Sequence, residues 1–154
     1  MPRQFDDAIA ECKRTIEMDP TYGVAHEVLG ASYAAKGMYR EALPAMERAS
    51  AMNRRNATSL AHLAYVRARL GDRSQALEIL DQLAAASKQR YTPALSFAIV
   101  YVGLGEKDQA FTWLERAYEE RSIRLAYLRR DPVWDSLRTD PRFEDLLRRI
   151  GLPQ

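Results

Sequence analysis

The chain has 154 residues, the length of one domain, with 47% hydrophobic and 29% charged residues and only 7 Gly and 7 Pro, which excludes disordered, collagen-like and low-complexity classes. Its 23 basic and 21 acidic residues nearly cancel and alternate in sign, so no strong pull toward nucleic acid or anionic lipid is expected. The single Cys excludes an internal disulfide and a multi-thiolate zinc site, and no apolar run approaches the roughly 20 residues that span a bilayer.

In chain order, the spacing of apolar residues predicts a helix over 3–18, bearing Phe5, Ile9 and Ile16 on one face. Helices at 23–36 and 39–52 follow, parted by Gly37, then 57–70 and 73–86, parted by Gly71-Asp72, then 93–104 and 107–120, parted by Gly105. Each Gly supplies the left-handed conformation that ends a first helix. Thr21 and Asn56 read as start signals, and Thr92-Pro93 as a capping hydroxyl before a first-turn Pro. Asp131-Pro132 and Asp140-Pro141 each read as a cap followed by a first-turn Pro, giving two short helices. The last carries Phe143, Leu146, Leu147 and Ile150 on one stripe, with Gly151 as its stop. No strand is predicted.

Aligning the chain with itself at a shift of 34 stacks Leu29, Leu63 and Phe97; Gly37, Gly71 and Gly105; and Ala42, Ala76 and Ala110, with Ala8 one period upstream. The same shift stacks Gly30, Ala64 and Ala98, and places Cys12 in the column of Met46, Leu80 and Leu114. Leu29-Gly-Ala-Ser-Tyr33 and Gly37-Met-Tyr-Arg-Glu-Ala42 match the L-G-x2-Y and turn segments of a 34-residue helical hairpin unit, so over about residues 3–120 the chain resembles a tetratricopeptide repeat protein. It departs from the pattern where His26, Leu60 and Ala94 replace Trp, where Arg67 replaces Tyr, and where only Pro20 fills the closing Pro slot.

The resemblance implies an all-α fold, an alpha-solenoid of helical hairpins with a helical C-terminal cap. It divides one domain, 1–154, into the second helix of an incomplete repeat (1–22), full repeats at 23–56, 57–90 and 91–124, and a cap at 125–154. The family's groove positions fall on Val24, Glu27, Ala31 and Ala34, then on Thr58, Ala61, Tyr65, Ala68 and Arg69, and then on Thr92, Leu95, Ile99 and Val102. Glu27, Ala31, Ala61 and Tyr65 stand where relatives that clamp an acidic terminus carry Lys and Asn, so such a clamp is not expected. The ending from Asp131 to Pro153 is similar to the C-terminal end of repeat modules in large bacterial signalling proteins.

Catalytic chemistry is thinly supplied. Cys12, His26 and His62 fall in three successive units, and both Cys12 and His26 occupy packing positions. Gly103-Leu-Gly-Glu reads as a helix-ending turn, since no strand precedes it and no Lys follows. Trp113, Tyr118, Tyr127 and Trp134 read as packing residues, and the Arg residues, 19 of the 23 basic ones, are scattered and build no stripe. No catalytic residue, metal or cofactor is therefore expected.

The functional expectation is a non-catalytic scaffold that binds a protein or peptide in an apolar concave groove, with neither nucleic acid nor membrane as partner. The alternative is a regulatory or recruiting module of a larger bacterial signalling protein whose output is a kinase, a cyclase or a winged helix. Phe5, Ile9 and Ile16 would lack a preceding helix to cover them, which suggests a homodimer through that face. The location is read as cytoplasmic, or periplasmic if the chain is a fragment of a membrane-anchored protein.

Overall fold

The computed structural model describes residues 2–54 and 56–152, which contain helices and no strand. Helices α1 (Pro2–Met18), α2 (Gly23–Ala35), α3 (Tyr39–Met52), α4 (Ala57–Arg69), α5 (Arg73–Ser87), α6 (Ala94–Leu104) and α7 (Lys107–Glu119) lie within about two residues of the expected ends. Two 3-10 turns follow, η1 (Ile123–Tyr127) and η2 (Pro132–Leu137), then α8 (Pro141–Arg149). Neighbouring helices pack in sequence order, and α2, α4 and α6 form an inner row. None of the described helices is long and apolar enough to cross a membrane.

Local chemistry explains most of the ends. Gly37, Gly71 and Gly105 take φ values of +73°, +88° and +75°, a region closed to most side chains. Asn56, Asp131 and Asp140 accept from the amides of Ser59, Val133 and Arg142 at 2.9, 3.0 and 3.0 Å, so these three caps form as expected.

Two expected caps do not form. Thr21 turns to the Asp19 carboxylate, its hydroxyl at 2.7 Å, and leaves α2 without a side-chain cap. At α6 the helix begins after Pro93, and the Glu120 carboxylate, reaching across from the end of α7, accepts from the Ala94 amide at 3.3 Å. A long-range carboxylate thereby replaces the local hydroxyl.

The core runs through α4 and α6. Ala94 to Val100 are buried without interruption, which fits a helix apolar on every side and packed among α4, α7 and η2. Small residues allow this closeness: Ala42, Ala64, Ala76, Ala98 and Ala110 are fully buried. Phe97 stacks on Trp113 with ring centroids 4.2 Å apart. His26 is buried, its Nε2 2.9 Å from the Pro20 carbonyl, and burial pushes the Cys12 thiol up, with Glu11 adding to the effect.

Both ends differ from expectation in one respect. The face of α1 does not lack cover, because α2 packs along α1: Ile9 is buried, and Phe5 and Ile16 are half-buried. Phe5 and Ile16 keep part of their surface exposed beside α2. Trp134 is buried in the tail, whereas Tyr127 is exposed and packs little.

α8 lies along α7 on arginine rungs. Arg142 sits over the Phe111 ring at 4.2 Å and pairs with Asp108 at 2.8 Å, while Arg149 sits over the Tyr118 ring at 4.6 Å and pairs with Glu115. Phe143, Leu146 and Leu147 point inward and are buried, while Arg142, Glu144, Arg148 and Arg149 are exposed.

Candidate functional site

Two recesses open on the inner row. The first is a cleft of about 510 Å³ between the C-terminal halves of α2 and α4, closed on the far side by the tail. Val28, Ala31, Tyr39, Tyr65, Val102 and Val133 give it apolar walls, and Phe5 reaches it from α1. Val28 is 42% exposed, so unburied apolar surface lines the opening. Tyr39 and Tyr65 meet edge to face at 6.3 Å, and the Arg69 guanidinium lies over the Tyr39 ring at 5.3 Å. Burial, then a hydrogen bond with Tyr39, pushes the Tyr65 phenol up, so it stays a neutral hydroxyl.

The second recess, about 690 Å³ and more open, lies one helical turn away at the N-terminal ends of α4 and α6. Glu27, Asn53, Thr58, Thr92 and Arg124 are among its lining residues. Arg124 of η1 donates to the Thr58 hydroxyl at 2.9 Å and ties the tail to α4.

His62 stands between the two recesses, with Nδ1 3.0 Å from the Thr58 carbonyl and 3.9 Å from the Glu27 carboxylate. Burial holds its imidazole below the ordinary value, opposed by Asp131 and Glu27 and aided by Arg124.

Of the groove positions read from the sequence, Ala31, Ala34, Tyr65, Arg69 and Val102 line the cleft, and Glu27, Thr58 and Thr92 line the second recess. Val24, Ala61, Ala68, Leu95 and Ile99 line neither. Leu95 and Ile99 are buried in α6, on which η2 packs, so the third hairpin offers its surface to the tail.

The register missed Val28, Tyr39, His62 and the tail wall of Asp131, Pro132 and Val133. It also missed Arg54, Arg90 and Arg124 in the second recess, although Arg90 and Arg124 stand one 34-residue period apart. Among the described residues no group of three or more His, Cys, Asp or Glu is placed to hold a metal ion.

A tetratricopeptide repeat family model matches residues 33–95, from the last turn of α2 to the start of α6. Over that span the chain carries tetratricopeptide repeat sequence. No curated protein and no solved structure matches it. Tetratricopeptide repeats are in general protein–protein interaction modules, and the matched span carries the last three residues of α2 and the whole of α3, α4 and α5. The tail packs on α6 of the third hairpin, while exposed Val28 and Ala31 leave apolar surface in the cleft.

Proposed function

We propose that the protein is a non-catalytic scaffold that holds a short apolar segment of a partner protein in the cleft between α2, α4 and η2. One observation carries this reading: exposed Val28 and Ala31 face an aromatic pair and a tail wall across a recess of about 510 Å³. Such a recess has room for a few side chains, and its charged lining residues, Lys36, Arg69, Asp131 and Asp135, balance in sign. Tyr39 and Tyr65 supply rigid aromatic anchors of the kind that concentrate binding energy.

The test is selection of a random peptide library on the wild-type protein, with the winners titrated against Ala31→Arg. Ala31 is exposed, so the substitution fills the cleft without entering the core. Apolar peptides should be enriched and should bind the variant at least about tenfold more weakly. Failure to enrich apolar peptides, or affinity untouched by Ala31→Arg, would refute the reading.

A further inference from the structure

The second recess carries a charge pattern that the cleft lacks. Arg54 beyond the end of α3, Arg90 beyond the end of α5 and Arg124 in η1 all line it. Among the described residues none of the three has a carboxylate within ion-pairing distance, and Arg124 uses one donor on the Thr58 hydroxyl. The one acid in the lining, Glu27, is already engaged, accepting from Asn53 Nδ2 at 3.0 Å and facing His62. Glu120 nearby is engaged as well, by the Tyr91 hydroxyl at 3.1 Å and the Ala94 amide at 3.3 Å. Three guanidinium groups, none paired with a carboxylate, therefore outnumber the single acid of the lining, Glu27, around a concave surface whose low-dielectric walls focus their field. The N-terminal end of α4 adds partial positive charge in the same place.

We propose that this recess takes acidic side chains of the partner segment whose apolar part lies in the cleft. The bound segment is thus apolar at one end and acidic at the other. This rests on the concave face being the binding surface. Glu27 and Ala31 are one turn apart on α2, about 6 Å along its axis, so a few residues of extended chain reach from one recess to the other. A peptide fits better than a nucleic acid. The positive charge is confined to three side chains beside an apolar cleft, and a total charge of +2 gives no track for a phosphate backbone.

The experiment measures fluorescence anisotropy with labelled peptides that share an apolar half and end in tetraglutamate, tetraserine or tetralysine. The glutamate peptide should bind about fivefold more tightly than the serine peptide at low salt, and the advantage should shrink at high salt. Arg90→Glu and Arg54→Glu, at exposed positions, should abolish the advantage while leaving the serine peptide's affinity and the circular dichroism spectrum unchanged. Equal binding of the glutamate and serine peptides, or tighter binding of the lysine peptide, overturns the acidic recess and leaves the cleft reading standing. Binding of an oligothymidylate to the same arginines without an advantage for glutamate also overturns it. Glutamate-dependent binding that survives replacement of the apolar half by serine supports the recess and refutes the cleft.

Discussion

Replacing Gly103 by Ala tests how closely α6 must approach α4. A Cβ at this position would lie 2.8 Å from the Tyr65 Cα and 3.1 Å from its carbonyl oxygen. Comfortable carbon–carbon contact begins near 3.5 Å, so the helices would have to part by about 0.7 Å. The obstacle is backbone, and no change of rotamer relieves it. Overpacking of this kind costs about 1–3 kcal/mol, while Ala in place of Gly within a helix recovers about 1 kcal/mol. A net loss of up to about 2 kcal/mol should lower the melting temperature by up to about 8 °C.

Gly30→Ala is the control. Its new methyl would press first on the Met46 side chain, at 2.9 Å from Cγ and 3.0 Å from Sδ, and the same column holds Ala64 and Ala98 in the next two hairpins. A flexible thioether yields more readily than a backbone, so the change should stay within about 1 kcal/mol. Thermal melts followed by circular dichroism compare the two variants. If Gly103→Ala melts at or above the wild type, or Gly30→Ala loses more than Gly103→Ala, the close-approach reasoning is wrong.

Trp134 is 2% exposed, and its replacement by Ala should cost about 3–5 kcal/mol in urea unfolding and raise amide hydrogen exchange in α6, on which η2 packs. Unchanged stability would show a tail detachable from the core. At His62 burial keeps the folded-state affinity for a proton below that of the unfolded chain, so its contribution to stability is full above about pH 6.5 and declines as pH falls below that value. Melting temperature measured from neutral to mildly acid pH should fall less steeply in His62→Gln, and an identical slope would remove His62 as the cause.

The hairpins were legible because Gly37, Gly71 and Gly105 mark backbone positions that few other residues occupy at low cost, and the apolar spacing on either side has one helical solution. Asn56, Asp131 and Asp140 were legible for a similar reason, since each cap is completed within three residues. Thr92 was misread because Glu120, 26 residues onward, satisfies the Ala94 amide, and no local pattern announces such a partner. Phe5, Ile9 and Ile16 show the same limit, because periodicity says which face seeks burial and leaves open which helix will cover it. Ala31, Ala34, Tyr65, Arg69 and Val102 of the cleft lie at positions that the register singled out. The far wall was not singled out, because Asp131 to Val133 return to α2 and α4 only through the path of an aperiodic tail.

The arginine-clad seam of α8 bears on how such a stack ends. A solenoid grows as a step on a crystal grows, each hairpin offering the next an apolar ledge on which to deposit. α8 deposits on that ledge with Phe143, Leu146 and Leu147, spends Arg142 and Arg149 on α7, and leaves Glu144 and Arg148 exposed. A further layer laid on the outer face of α8 would have to desolvate the charges of Glu144 and Arg148, where the inner face buries hydrocarbon.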